Sequence, residues 1–156
     1  MTVIKKEYGS EHAIYASMLS EMGAYYRGQK KTVKAERFYK RCLEIYKKEL
    51  GNRHILFASG LNNLGNLYIQ KKMYAEAEKN LLEAKRLYET QVDYRTPHYY
   101  ITLNNLGLSE LGLGDQEKAA RMFRAAAKAC EKIYGKGHED YKMIIRHLQA
   151  TEGEKM

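Results

Sequence analysis

The chain has 156 residues, 44% of them hydrophobic, with 14 Tyr, 3 Phe, no Trp and one Pro, which excludes a disordered chain and favours helix throughout. No apolar run approaches the ~20 residues that cross a bilayer, and Met1 to Lys6 carries no apolar segment behind its charges, so the sequence reads as soluble, cytoplasmic and without membrane contact. The formal charge of +8 is concentrated: ten Lys or Arg lie between Arg27 and Arg53 against Glu36, Glu44 and Glu49, either a solvated helix face or a patch for acidic proteins, nucleic acid or anionic lipid.

Three stretches of the chain superpose at a spacing of 42 residues. Gly23, Gly65 and Gly107 fall in register, as do Ala35, Ala77 and Ala119, and Leu19, Leu61 and Leu103. Self-similarity at such a period indicates a solenoid, in which each unit buries its apolar face by stacking on its neighbours. The chain opens on Ile4-Lys5-Lys6-Glu7-Tyr8-Gly9, which matches Tyr46-Lys47-Lys48-Glu49-Leu50-Gly51 and so reads as the tail of a second helix.

The first full repeat, about residues 12–50, places Tyr15, Leu19, Met22 and Tyr26 on one helical stripe and Ala35, Tyr39, Cys42 and Tyr46 on another. The second, about 54–92, has Phe57, Leu61, Leu64 and Tyr68, then Tyr74, Ala77, Leu81, Ala84 and Tyr88, ending near Val92. Its break from Gln70 to Met73 has room only for an antiparallel turn. The third, about 96–134, has Tyr99, Leu103 and Leu106, then Ala119, Phe123, Ala126 and Cys130. Here Thr96 is placed to cap a helix beginning at Pro97, and Asp115 to cap the one after the Gly112 to Gly114 turn. Tyr141, Ile145 and Leu148 give one more first helix, over 138–150, with no second helix after it. It either caps the stack or belongs to an excerpt from a longer array, whose cut face predicts end-to-end self-association.

Glycine inside a helix costs about 1 kcal/mol relative to alanine, so its recurrence at 23, 65 and 107 predicts close approach of a partner helix. Cys42 and Cys130 stand two repeats apart on apolar stripes, too distant for a disulfide, and read as buried thiols in a reducing compartment.

Leu61-x-x-Leu64-Gly65-x-x-Tyr68, followed by Ala77, Leu81 and Ala84, resembles the tetratricopeptide repeat, with leucine where that pattern has tryptophan. The period is 42 rather than 34, and the closing proline is missing. Leu-Asn-Asn-Leu-Gly at 61–65 and 103–107, with Gly-x-x-His at 9–12, 51–54 and 135–138, is similar to the 42-residue repeats of kinesin light chains and their bacterial relatives, over about residues 4–149. The resemblance implies an all-α, right-handed α-solenoid of three helix-turn-helix repeats plus a lone C-terminal helix, in a single domain over 4–150. It also implies a protein-interaction scaffold rather than an enzyme.

In that family the first helices line a concave groove. By resemblance the groove here contains Ser20, Ala24 and Arg27 from the first repeat, and Asn62, Asn66 and Ile69 from the second. Asn104, Leu108 and Leu111 follow from the third, with Met143 and Arg146 from the last helix; Asn63 and Asn105 lie at the edge. Asparagine is a poor helix former, so pairs of it mid-helix in two successive repeats mark these positions. Their amides suit clamping an extended peptide backbone, and equally suit hydrogen bonds that hold adjacent repeats in register. Leu108, Leu111 and Met143 as an apolar floor between Arg27 and Arg146 favour a peptide with an apolar anchor and an acidic residue. The chaperone-tail clamp of the family is discounted, because Ser20 and Ala24 stand where it needs Lys and Asn.

The alternative function is a basic scaffold for RNA or another polyanion through Lys30 to Lys48. Of the adjacent Tyr99 and Tyr100 one is left to stack on a ligand, but the basic cluster lies mostly on the second helix of the first repeat, away from them. A third is a structural or oligomerisation segment of a larger protein. No catalytic group, metal site or cofactor is assigned. His12, His54 and His138 recur one or more periods apart, too far to share a metal, and read as helix-start packing. His138-Glu139-Asp140 lacks ligand spacing, and Gly112-Leu113-Gly114 follows no strand that would make it a phosphate loop.

Overall fold

The computed structural model describes residues 9–91 and 96–153. The expected helix tail from Ile4 to Tyr8, and Val92 at the end of the second repeat, lie outside the described residues. Among the described residues the regular elements are helices alone. In chain order they are α1 (Ala13–Gly28), α2 (Thr32–Leu50), α3 (Ile55–Gln70), α4 (Tyr74–Gln91), α5 (Pro97–Leu113), α6 (Gln116–Tyr134) and α7 (Glu139–Gly153).

The same local chemistry starts and ends equivalent helices. His12, His54 and His138 each accept a hydrogen bond on Nδ1 from the backbone N–H two residues on, at 3.2 Å, and so cap α1, α3 and α7. An accepting Nδ1 leaves the ring proton on Nε2. Asp115 caps α6 by accepting from the Lys118 backbone N–H at 2.9 Å. Thr96 departs from expectation: it occupies the N-cap position of α5 with extended backbone, but its side chain makes no capping bond and its hydroxyl is buried without a partner among the described residues. The Tyr99 N–H donates instead to the Thr96 backbone carbonyl at 3.0 Å, and Pro97 at the first helical position has no N–H to satisfy.

First helices end alike. Lys30, Lys72 and Gly114 stand one period apart, all with left-handed backbone, at φ 58°, 59° and 87°. The residue after each donates its N–H at 2.9 Å to the carbonyl five residues back, at Tyr26, Tyr68 and Glu110. These reversals fold α1 onto α2, α3 onto α4 and α5 onto α6.

The mid-helix glycines are pressed against the return helix. A Cβ at Gly23, Gly65 or Gly107 would stand 2.6, 2.6 or 2.5 Å from Tyr39, Leu81 or Phe123, the residue sixteen positions on in each case. Ala35, Ala77 and Ala119 on the opposite helices are wholly buried, so small residues on both sides set the close helix spacing. Hairpins then pack in series, α2 on α3, α4 on α5 and α6 on α7. First helices also touch across the stack, α1 with α3 and α3 with α5, whereas the second helices share no comparable contact. The more tightly spaced row lies on the inside of the curve, which puts the first helices on the concave face. The solenoid is thus all-α, and its core is a chain of clusters along the seams rather than one centre.

Candidate functional site

The asparagine pairs join neighbouring first helices. Asn63 donates from its amide to Ser20 Oγ at 3.1 Å, linking α3 to α1. Asn62 Oδ1 accepts from Asn105 Nδ2 at 3.2 Å and from Thr102 Oγ1 at 3.1 Å, linking α3 to α5. Asn104 Oδ1 pairs with His147 Nδ1 at 2.9 Å, linking α5 to α7. Ser20 to Asn63, Asn62 to Asn105 and Asn104 to His147 each span 43 residues, one period plus one position. Asn62, Asn104 and Asn105 are 5%, 6% and 5% exposed, so these bonds form in a shielded setting where an unmade one is expensive. Burial, then the neighbouring Arg146, lowers the His147 pKa, which favours a neutral ring able to donate through Nδ1 to the Asn104 carbonyl.

The other groove positions divide by environment. Leu108, Leu111 and Met143 are half-buried against the cluster shared by α5, α6 and α7, and present their remaining surface outward. Ala24, Asn66 and Ile69 are half-buried, and Asn66 makes no side-chain hydrogen bond among the described residues. Arg27 is half-buried and its charge opposes the rise that burial gives the Tyr39 hydroxyl pKa, while Arg146 is exposed. The structure therefore ties Ser20, Asn62, Asn63, Asn104 and Asn105 into one inter-helix ladder and leaves Asn66 and the apolar trio beside it.

A second polar network lies between the hairpins, and no motif announced it. Glu36 on α2 accepts from Tyr68 Oη at 3.2 Å and from Lys71 Nζ at 2.6 Å on the next hairpin, and pairs with Lys40 at 2.7 Å. Burial pushes its pKa up, but Lys40 and Lys71 outweigh it and hold the carboxyl at about 2. One period on, Glu78 replaces Glu36 and Glu110 replaces Tyr68. Glu110 is 5% exposed, its Oε2 accepts no hydrogen bond, and the nearest cation, Lys118 Nζ, is 3.8 Å away and lies closer to Asp115. Burial, then the Glu78 carboxylate within hydrogen-bonding reach, raise its pKa. The break in the Leu-Gly-x-x-Tyr pattern at Glu110 was the available signal.

The basic tract also divides. Arg41 is held by Glu11 and Glu44, Lys48 by Glu11, and Lys40 by Glu36. Lys34 and Arg37 have no carboxylate partner among the described residues. With Arg41 they rim a cleft of about 390 Å³ between α1 and α2, floored by Leu19, Tyr26 and Phe38. Tyr26 stacks on Phe38 with centroids 5.4 Å apart and 10° between planes, and Lys34 Nζ lies 5.5 Å from the Tyr26 ring.

Tyr100 is buried, with its hydroxyl on Asp140 at 2.5 Å, and Tyr99 is half-buried with its hydroxyl on Glu89 at 2.8 Å, so neither ring stands free on the surface. Cys42 and Cys130 are free and buried, and burial pushes the Cys42 thiol up to about 12. Among the described residues no cluster of three metal-ligating side chains occurs, and no helix is long and apolar enough to cross a membrane.

The sequence matches the tetratricopeptide repeat family over residues 1–48 and 56–132. A comparison with curated proteins gives no match. Among solved structures, BtubC (BKLC) from P. vanneervenii superposes with a TM-score of 0.79 at 20% identity, over 89% of this chain. This chain spans about half of BtubC, 56% of its length. The nearly identical TPR-like repeats of a Podospora anserina protein described as a kinesin light chain give 0.78 at 15% identity, covering 98% of this chain and 74% of that one. The N-terminal domain of stress-induced protein-1 from C. elegans gives 0.64 at 18% identity, covering 90% and 96%.

Proposed function

Since the chain belongs to the tetratricopeptide repeat family, whose fold typically serves protein–protein interaction, we propose that it is a non-enzymatic scaffold that takes a peptide or helical segment on the concave face of α1, α3, α5 and α7. The observation that carries this reading is the division of labour on that face. The ladder of Ser20, Asn62, Asn63, Asn104 and Asn105 fixes the spacing of the first helices, while Asn66 keeps an uncommitted amide and Leu108, Leu111 and Met143 keep half-buried apolar surface. A rigid row with a polar half and an apolar half suits an extended or helical segment with one apolar anchor. Arg146 at the exposed end supplies a contact for an acidic residue. The amides of Asn62, Asn63, Asn104 and Asn105 thus serve stacking, which leaves Asn66 as the amide for capture.

Peptides selected by phage display on the intact chain provide the test. Affinity should fall at least tenfold with Leu108→Glu combined with Met143→Ser, and severalfold with Asn66→Ala. Selected peptides indifferent to all three substitutions would overturn the groove reading.

A polyanion scaffold has less in its favour. Arg41, Lys40 and Lys48, three cations of the tract it would use, are already paired with carboxylates. A cytoplasmic site of action fits the two buried thiols, which are kept reduced there.

A further inference from the structure

We infer a second docking surface, distinct from the concave groove: the cleft between α1 and α2 accepts an acidic amphipathic helix of a partner polypeptide, with a glutamate set against Tyr26. The template for this contact lies inside the molecule. Each second helix packs against the first helix of the next hairpin, and in doing so α2 delivers Glu36 to Tyr68 and Lys71, at 3.2 and 2.6 Å. Tyr26 is the residue one period before Tyr68, at the same place on α1. Its ring is held face to face with Phe38, and no carboxylate meets its hydroxyl among the described residues. The cleft that it floors has the shape of a seat for a helix of the α2 and α4 type.

Charge selects the occupant. The cleft is rimmed by Lys34 and Arg37, which have no carboxylate partner among the described residues, and by Arg41, held by Glu11 and Glu44, whereas the residues one period later, Glu76, Lys79 and Glu83, carry a net negative charge. At the interior seam the helix that packs on α3 is α2, which carries an excess of Lys and Arg. The seat at α1 and α2 is basic and is matched to an acidic helix. Leu19, Tyr26 and Phe38 supply the apolar floor that a flexible polyanion would leave unused, which favours a helix over nucleic acid.

The probe is a stapled, fluorescein-labelled peptide with the sequence of α4, residues 74–91, in which Lys79, Lys85 and Arg86 are each replaced by Glu. It keeps Glu78, the counterpart of Glu36, at the position that would face Tyr26. Fluorescence polarisation with the full chain should show saturable binding, weakened at least tenfold by Lys34→Glu with Arg37→Glu. Leu108→Glu with Met143→Ser should leave it unchanged, which separates this surface from the groove. Tyr26→Phe should weaken binding severalfold, and that loss should vanish when the peptide carries Glu78→Gln. Equal binding of a scrambled peptide of the same charge would overturn the inference, as would stronger binding of a single-stranded oligonucleotide that displaces the probe. Sedimentation showing that a second copy of the chain fills the cleft and excludes the probe would also overturn it.

Discussion

Asn62 and Asn105 join α3 to α5 by one amide-to-amide hydrogen bond of 3.2 Å, and the same carbonyl of Asn62 takes the Thr102 hydroxyl at 3.1 Å. The Thr102 hydroxyl has a second acceptor in the His98 carbonyl at 2.8 Å, so the buried Asn105 amide is the donor that depends on Asn62. Removing that acceptor leaves it unsatisfied, which costs about 1–3 kcal/mol. Asn62→Ala should therefore lower the melting temperature by several degrees, at roughly 2–4 °C per kcal/mol for a chain of this size. Asn66→Ala, at a side chain outside the ladder, should shift it by less than about 0.5 kcal/mol equivalent. Thermal unfolding by circular dichroism of the two variants checks the contrast; equal melting temperatures would remove the ladder as a stabilising device.

Gly107 and Gly28 predict opposite responses to alanine. A Cβ at Gly107 would stand 2.5 Å from the Phe123 ring, which is wholly buried and has nowhere to retreat. Overpacking of this kind costs about 1–3 kcal/mol. Gly28 is the last residue of α1 with open space around its Cβ, so Gly28→Ala should gain up to about 1 kcal/mol from helix propensity. Denaturant midpoints of the two variants should move in opposite directions.

Much of this architecture is legible in the sequence because a repeat announces the same demand three times. Gly23, Gly65 and Gly107 declare a close helix crossing before any partner is known, and Tyr39, Leu81 and Phe123 prove to be the groups that press on them. The asparagines were visible as anomalies, but their role depends on which helices become neighbours. The ladder joins residues 43 apart, one position beyond the period, so the period alone does not pair them. Glu110 is hidden in the sequence for a related reason. Its significance lies in replacing Tyr68 one period on, opposite Glu78 where Tyr68 faces Glu36, and that pairing of unlike helices is a tertiary fact. The capping role of His12, His54 and His138 needed the backbone to show which N–H each ring would meet.

Lys72 offers a stabilising substitution. It holds left-handed backbone at φ 59°, where its counterpart Gly114 stands at 87° without a Cβ to strain. A non-glycine residue there costs about 1–2 kcal/mol, part of which glycine gives back through its freer unfolded chain. Lys72→Gly should therefore raise stability by about 1 kcal/mol. The turn hydrogen bond from Met73 to Tyr68, at 2.9 Å, should be kept. Hydrogen exchange at the Met73 amide reads that bond directly.

His54 should behave as a cap rather than as a ligand. Its Nδ1 takes the Leu56 N–H at 3.2 Å, one of the donors that the start of α3 otherwise leaves unpaired. His54→Ala should cost about 1 kcal/mol, and His54→Asn, which keeps an acceptor at the cap, should recover most of it. Addition of zinc or a chelator should leave the melting temperature of the unsubstituted chain unchanged.

Glu110 and Glu36 give the solenoid opposite pH responses at equivalent seams. Burial and then the Glu78 carboxylate raise the Glu110 pKa, so the folded chain keeps a proton over a range where the unfolded chain has released it. Its contribution is complete below the unfolded pKa and is lost as pH rises through the folded one. Glu36, held at about 2, contributes above the unfolded carboxylate pKa and loses that contribution as pH falls towards 2. Glu110→Gln keeps a donor facing Glu78 but never ionises. It should raise stability at neutral pH, and melting temperatures collected from pH 4 to pH 8 should converge with those of the unsubstituted chain at the acid end. A constant difference across the series would mean that the Glu110 carboxyl has the same pKa folded and unfolded, with Lys118, 3.8 Å away, offsetting burial and Glu78.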